Sequence, residues 1–382
     1  MASALGFLPG CSGGSGAESR SVDAGRVMPP SGGGPGSGGS VGCIPVADAG
    51  SRSSQGGDSG WEPPSCAAGG PGLTNCGAGS ESCCTSLDVP GGTYYAAYSN
   101  LGGDGGPTDE SAPATVSSFY LDKYLVTVGR FRQFANAWDN ACWRPSVGSG
   151  KHWYVNGGKG LADEGDTQPV PTYERGWVAT DEHFVGASEA YMIATCNGSA
   201  EVTWTSSPGD HENLPINCVS WADAYAFCIW DGGFLPSEAE WEYAAAGGSE
   251  ERTFPWGSTP PGPGNQYAIS NCDYPSGLGL CTGATNIAPV GTATLGAGRW
   301  GQLDLAGEMQ EWNIDWYVGS LFEHGCVDCA YTTQVAAYGN RVTRGGDFAD
   351  PTSYVIPPLR DGDDPRFGDA YTGFRCARPP LL

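Results

Sequence analysis

The chain has 382 residues, of which 42 are acidic and 18 basic, so its formal charge is -24 at pH 7. Phosphate backbones would repel such an acidic protein, and we expect no nucleic-acid partner. No stretch approaches about 18 consecutive apolar residues, so the sequence predicts no transmembrane helix. Fifteen cysteines at irregular spacing favour an oxidising compartment, and we expect the protein to be exported.

The first 11 residues resemble a shortened bacterial lipoprotein signal. Residues 1–10 are mostly apolar, and Leu8-Pro9-Gly10-Cys11 is similar to a lipobox, in which the cysteine is acylated. The apolar stretch is short and no basic residue precedes it, which a signal beginning upstream of Met1 would explain. A chance Gly-Cys pair in a glycine-rich leader is the alternative. We expect lipidation at Cys11, a location in a bacterial cell envelope, and membrane contact only through this anchor.

Two further segments precede the globular part. Residues 12–60 are rich in glycine and serine and cannot bury enough apolar surface to offset their backbone entropy, so they are predicted to form a disordered tether. Residues 61–88 are predicted to form a cysteine-rich lead-in, because so short a segment would need disulfides to hold a fold. Its four cysteines are Cys66, Cys76, Cys83 and Cys84.

Three helices are predicted from apolar spacing and from their capping residues. Each follows a serine or threonine, and in the last two an acidic residue stands three positions later, as in a capping box. Residues 118–124 alternate like a strand. The helices are predicted from Val128 to about Trp138 after Thr127, from Ser220 with Asp223 to Gly232-Gly233, and from Ser237 with Glu240 to Gly247-Gly248.

The polar insertion between the first two helices carries five large aromatic residues, which are Trp143, Trp153, Tyr154, Trp177 and Trp204. Aromatic residues in loops can line a groove for a sugar or a peptide. A loop-rich fold also needs them for packing, and packing is the favoured interpretation. The acidic run 361–364 could attract a cationic segment, although such a run is more often simply solvated.

Three sequence blocks carry a family resemblance. They are Leu-Pro-Ser-Glu-Ala-Glu-Trp-Glu-Tyr-Ala-Ala at 235–245, Asp-Leu-Ala-Gly-Glu-Met-Gln-Glu-Trp at 304–312, and Arg-Gly-Gly at 344–346 followed by Gly-Phe-Arg-Cys-Ala at 373–377. In this order and spacing they resemble the formylglycine-generating enzyme family, also called sulfatase-modifying factors. The resemblance covers about 89–380. It implies one α+β domain at 89–382, related to C-type lectins and loop-rich, with few short helices and strands.

The resemblance implies an oxidase chemistry for which this chain lacks the residues. Family members convert a sulfatase cysteine into formylglycine with oxygen and Cu(I), which two cysteines bind after the Arg-Gly-Gly block. The matching positions are Asp350 and Val355. Soft Cu(I) prefers thiolates, so copper is not expected and no catalytic residue carries over. Iron-dependent relatives use clustered histidines, whereas the four histidines of this chain are scattered: His152, His183, His211 and His324.

The resemblance also implies a structural calcium site and one disulfide. The calcium ligands would be oxygen atoms of Asp304, Gly307, Met309 and Glu311, which suit this hard cation, although the two carboxylates could simply be surface groups. A second family site matches less well, since Asn271 and the Cys272 carbonyl correspond but Thr282 replaces an aspartate. The implied disulfide joins Cys228 and Cys376. Candidates for local disulfides are Cys272 with Cys281 and Cys326 with Cys329. A redox or metal-binding role for Cys326 and Cys329 is the less favoured interpretation of that pair.

Three hypotheses for function remain open, and whether the chain is an enzyme stays undecided. The first is a diverged, monomeric domain that is tethered to the envelope and binds a peptide or glycan in the family's substrate groove. The second is an enzyme, either a divergent formylglycine-generating oxidoreductase acting on a protein cysteine or a catalyst using Asp347 and Asp350 as acid and base. The third is a structural surface protein stabilised by disulfides and calcium. If side chains fill the region of Asp350 and Val355, the first two are weakened.

Overall fold

The computed structural model describes residues 62–96, 98, 111–165, 171–196, 198–277, 279–319, 322, 325–334 and 339–381. The predicted signal with Cys11, the tether and His324 lie outside the described residues. Among the helices of the described part, none has the length and hydropathy needed to cross a bilayer.

The three predicted helices are confirmed, and each begins at its predicted cap. The helices are α1 (Val128–Asp139), α2 (Glu189–Thr195), α3 (Trp221–Trp230) and α4 (Glu238–Ala246). Thr127 caps α1, and the two capping boxes, Ser220 with Asp223 and Ser237 with Glu240, open α3 and α4. Helix α4 ends at a left-handed glycine. The sequence did not predict α2, because seven residues are too few to show a helical period.

Twelve short strands form four small sheets in the described residues. They are β1 (Ser86–Val89), β2 (Gly92–Tyr95), β3 (Pro113–Val116), β4 (Phe119–Asp122), β5 (Ala162–Asp163), β6 (Gln310–Trp316), β7 (Cys326–Val327), β8 (Cys329–Ala330), β9 (Arg341–Arg344), β10 (Arg360–Asp363), β11 (Thr372–Gly373) and β12 (Ala377–Arg378). The strand orders are β1-β4-β12, β10-β9-β6-β11, β2-β3-β7 and β5-β8. In the four-stranded sheet, β11 runs parallel to β6 and the other pairs are antiparallel. The α+β, loop-rich fold class is thereby confirmed.

Aromatic side chains fill the main core, between α1, α3 and the C-terminal segment. The rings of Phe227 and Phe374 lie 5.3 Å apart, and each also packs against Phe131. Three aromatic residues of the insertion, Trp143, Trp177 and Trp204, are buried in the same core, which confirms the packing interpretation for them. Trp153 is 41% exposed.

The lead-in is attached to the domain. Its cysteines pair as Cys66–Cys84 and Cys76–Cys83, and β1 pairs with β4 along four residues. The guanidinium of Arg130 on α1 donates to the Ser65 hydroxyl at 3.0 Å and to the Cys83 carbonyl at 3.1 Å. Since Arg130 and Ser65 are both fully buried, these contacts make the lead-in part of the core.

Candidate functional site

Buried ion pairs bring the sequence blocks together. Arg344, from the Arg-Gly-Gly block, donates to Glu238 at 2.8 Å and to Glu242 at 2.9 Å, both on α4. Arg375 donates two hydrogen bonds to Glu311, at 2.7 and 2.8 Å. All five side chains are buried, so their charge-assisted hydrogen bonds fix how the blocks lie against each other.

A two-glycine turn follows β9 and leads into the segment where the family has its cysteines. Gly345 and Gly346 have φ angles of 102° and 67°, which favour glycine. A Cβ on Gly346 would also lie 2.9 Å from the carbonyl oxygen of Tyr354. The Val355 side chain packs beneath this turn and is fully buried. One of the two positions that match the family's cysteines is therefore filled by an aliphatic side chain.

The other position, Asp350, forms a carboxylate pair with the buried Asp347. The Asp347 amide donates to Asp350 Oδ2 at 3.1 Å, and the Asp350 amide donates to Asp347 Oδ1 at 3.2 Å. Burial, followed by the charge of Asp350, raises the pKa of Asp347 to about 7. The carboxyl group of Asp347 can therefore gain or lose a proton near neutral pH, as acid–base chemistry requires. Asp350 itself is half-buried.

Three more carboxylates extend this pair across the surface. The charges of Asp361 and Asp369 act on the pair, and burial together with these two charges raises the pKa of Asp363 to about 6. Tyr371 is 41% exposed and stacks on Phe348 with ring centroids 5.5 Å apart. We call this surface the acidic face, and it consists of Asp347, Asp350, Asp361, Asp363, Asp369 and Tyr371. A bound cationic group would relieve the repulsion among the five carboxylates of this face.

Cysteines do not supply a replacement for the missing thiol pair in the part of the chain that is described. Every cysteine there is disulfide-bonded. Besides the lead-in pairs, these bonds include those of Cys196 with Cys218, Cys228 with Cys376, Cys272 with Cys281, and Cys326 with Cys329. Thiolate ligands for copper would require one of these bonds to be reduced first.

Three of the residues named as calcium ligands lie in the loop before β6 and Glu311 lies on β6, and one further carboxylate lies among them. Glu308 is buried, and burial together with the charge of Asp304 raises its pKa well above the usual range. Burial also raises the pKa of Asp304 to about 6, although Arg375 opposes the shift. Within the described residues, neither Asp304 nor Glu308 has an ion-pair partner, whereas Arg375 already neutralises Glu311. A hard divalent cation fits the uncompensated charge of Asp304 and Glu308.

The sequence did not predict Glu308 as a calcium ligand, although this residue stands inside the second block, directly after Gly307. Asp369 was not predicted as a site residue, because no motif in the sequence includes it.

The loop that resembles the second calcium site is held by other contacts. The Asn286 side chain donates to the Cys272 carbonyl at 3.2 Å, and the Cys272–Cys281 disulfide closes the loop. The Asn271 amide donates to the Asp350 carbonyl at 2.8 Å, which ties this loop to the acidic face.

Histidine does not form a metal centre in the described structure. His152 is fully buried between Glu174 and Glu240, with each ring nitrogen 3.0 Å from a carboxylate oxygen. Across the described ranges, three or more His, Cys, Asp or Glu residues nowhere converge as they would around a metal ion.

Comparisons with known proteins match most of the chain. The family model for the sulfatase-modifying factor enzyme 1-like domain matches residues 77–380. A formylglycine-generating enzyme of Thermomonospora curvata is 32% identical over 311 residues, covering 77% of this chain and 93% of the relative. An inactive C-alpha-formylglycine-generating enzyme 2 of Bos taurus is 32% identical over 177 residues, covering 44% and 52%. A solved structure of PvdO from Pseudomonas aeruginosa covers 77% of this chain and 94% of its own, with 20% identity and a TM-score of 0.46.

Proposed function

The chain belongs to the sulfatase-modifying factor family, and we propose that it is a diverged member that makes no formylglycine and binds a cationic peptide segment on its acidic face. This proposal rests on one observation, which is the replacement of both residues at the positions that match the family's cysteines. Val355 is buried and inert, whereas Asp350 belongs to a surface of five carboxylates. The position that matches a catalytic thiol thus carries a negative charge.

The loss of oxidase activity is supported by the state of the cysteines. All of those in the described residues are in disulfides, so a divergent copper site would have to be built without a free thiol there. The alternative of a divergent formylglycine-generating oxidoreductase is correspondingly weakened.

Electrostatics favour a cationic peptide over a neutral glycan as the ligand. The pKa of Asp347 and Asp363 is raised because Asp347 is buried and Asp363 is half-buried, each beside other negative charges. A lysine or arginine side chain would form charge-assisted hydrogen bonds with them, and Tyr371 offers a flat ring for a guanidinium or for an aliphatic stem. The ligand side chains would then supply the positive charge that the acidic face lacks.

The proposal is tested by two measurements on the same preparation. A Cys-x-Pro-x-Arg peptide is incubated with Cu(I) and oxygen, and mass spectrometry looks for an aldehyde, with an active relative run in parallel. An aldehyde product would refute the loss of activity.

Binding is measured separately by the fluorescence anisotropy of a labelled Arg-rich peptide, with a Glu-rich peptide of equal length as the control. We expect the Arg-rich peptide alone to bind. The double variant Asp361→Asn/Asp369→Asn should weaken binding by about tenfold or more, since each lost charge pair contributes on the order of 1 kcal/mol. Equal binding of both peptides, or none, would contradict this proposal and leave the structural hypothesis.

We also propose that calcium binds at Asp304 with the carbonyl oxygens of Gly307 and Met309 and with Glu308. The support is the uncompensated burial of two carboxylates. Calcium would supply the neutralising charge there, and its role would be structural. Isothermal titration with Ca²⁺ tests this assignment, and no heat of binding for the chelator-treated protein would refute it.

The tether and anchor are likewise part of the proposal, supported by the composition of residues 12–60 and by the lipobox-like sequence at Cys11. The many disulfides are consistent with an exported protein. Metabolic labelling with a fatty-acid analogue in a bacterial host tests the anchor, because label that survives Cys11→Ser would rule out lipidation at Cys11.

A further inference from the structure

A cleft on the four-stranded sheet shares no lining residue with the acidic face. Two adjoining cavities, of about 380 and 310 Å³, share six lining residues: Thr180, Asp181, Trp221, Trp316, Gln334 and Arg341. We call them together the tryptophan cleft. Their volumes lie within the range of small-molecule sites, roughly 300–1,000 Å³.

Arg341, the first residue of β9, forms the floor of the cleft. Its guanidinium carbon lies 3.8 Å from the ring centroid of Trp221 and 3.8 Å from that of Trp316, so the cation is stacked between two indole rings. The residue is 8% exposed. One terminal nitrogen donates to the Ile314 carbonyl, whereas the buried Nε has no hydrogen-bond partner in the described residues.

The charge of Arg341 is not matched by a carboxylate in contact with it. No ion pair involves Arg341 within the described part of the chain, and the carboxylates whose charges act on it are Asp181 and Asp315. Burial lowers the pKa of Arg341 to about 9, which these two carboxylates only partly oppose. A buried cation without an anionic partner is costly, and an anionic ligand would relieve that cost.

The other charged residues that line the cleft are paired with other groups or balance one another. Asp364 is hydrogen-bonded to Arg366, and Glu174 lies 3.0 Å from the buried imidazole of His152. Arg175 adds a positive charge to the wall of the larger cavity, and Asp181 adds a negative one. The lining thus holds three arginines and three carboxylates, and Arg341 is the buried cation among them that has no ion-pair partner in the described residues.

The walls of the cleft suit a ligand that is apolar on its faces and rich in hydroxyl groups. The ring of Trp316 is half-buried and Phe184 is 41% exposed, so both can pack against the C–H groups of a sugar ring. Hydroxyl and amide groups line the same space, from Thr180, Thr332, Gln334 and others. Such groups exchange hydrogen bonds with sugar hydroxyls.

We propose that the tryptophan cleft binds an acidic sugar, with the carboxylate of a uronic acid paired with Arg341 and the sugar ring against Trp316. A neutral sugar would leave Arg341 uncompensated. A phosphate dianion would carry more charge than Arg341 matches and would be repelled by Asp181. This site does not depend on the acidic face, and its ligand has the opposite charge.

The test is a titration of the purified chain with methyl β-D-glucuronide, followed by tryptophan fluorescence and calorimetry. Methyl β-D-glucoside is the matched neutral control. We expect the glucuronide to bind about tenfold more tightly than the glucoside, because a charge-assisted hydrogen bond to a buried guanidinium contributes on the order of 1.4 kcal/mol or more. Equal binding of the two sugars, or no saturation at about 20 mM, would overturn the proposal.

Two variants then locate the site. Arg341→Met should abolish glucuronide binding, but Arg341 also packs between two rings, so its loss could disturb the fold. Asp181→Asn avoids this problem because it removes only a nearby negative charge. We expect it to strengthen glucuronide binding severalfold and to leave glucoside binding unchanged. Unchanged glucuronide binding in this variant would contradict the assignment of the site to the cleft. Asp361→Asn, on the acidic face, should leave glucuronide binding unchanged.

Discussion

The buried charge of His152 provides the sharpest test of the structure. Each of its ring nitrogens lies 3.0 Å from a carboxylate oxygen, of Glu174 on one side and Glu240 on the other. Both nitrogens must therefore carry protons. Burial alone would lower the pKa of His152, but Glu240 and Glu174 outweigh it and raise the pKa to about 10. Glu240 also caps α4, so this imidazolium joins the insertion to a helix start.

The size of the effect follows from the shift in pKa. From the ordinary value of 6.5 to about 10, the change corresponds to about 4–5 kcal/mol of stability at pH 6. Since the pKa is raised in the folded state, this contribution is fully present below pH 6.5 and is lost as the pH rises through about 10. At pH 9 about 1 kcal/mol should remain. Removing one partner of a buried pair typically costs about 3–5 kcal/mol, which agrees with the value at low pH.

The substitution is His152→Gln, which keeps a polar side chain but removes the charge. Urea unfolding with the disulfides intact, followed by tryptophan fluorescence, should show a loss of about 3–5 kcal/mol at pH 6 that shrinks to about 1 kcal/mol at pH 9. His183→Gln, at an exposed position, is the matched control and should change stability by no more than about 0.5 kcal/mol. A loss of equal size at both pH values would refute the assignment of a buried imidazolium.

Three further predictions concern the disulfide framework, the acidic face and the calcium site. Because the bond between Cys228 and Cys376 closes a loop with a sequence separation of 148, replacing both residues by serine should cost about 5 kcal/mol in urea unfolding, and a cost below about 1 kcal/mol would contradict the loop-entropy argument. Asp350→Asn should lower the pKa of Asp347 from about 7 in an NMR titration, since it removes a repelling charge; an unchanged pKa would mean that burial alone raises it. Ca²⁺ at about 100 times its Kd should add about 2.7 kcal/mol and raise Tm, and this increase should disappear in Asp304→Asn.

The sequence predicted those features of the fold that depend on local chemistry. Ser220 and Ser237 are followed by acidic residues at the capping-box positions, and both helices begin where that pattern places them. The tryptophan cleft was not predicted, because it brings together Trp221, Trp316 and Arg341 from three separate elements. Contacts of this kind depend on the packing of β6 and β9, and no spacing along the chain encodes them.

The family resemblance predicts the fold better than the chemistry, because the scaffold constrains the residues of the signature blocks more than it constrains Asp350. Arg344 and Arg375 lie within the signature blocks, and their carboxylate partners Glu238 and Glu311 are buried with them. Losing one partner would leave an unpaired buried charge, so the scaffold constrains these residues whatever the domain does. Asp350 is half-buried, and its carboxylate accepts a hydrogen bond from the Asp347 amide. A change at that position leaves the buried ion pairs intact, so the signature blocks do not depend on which residue stands there.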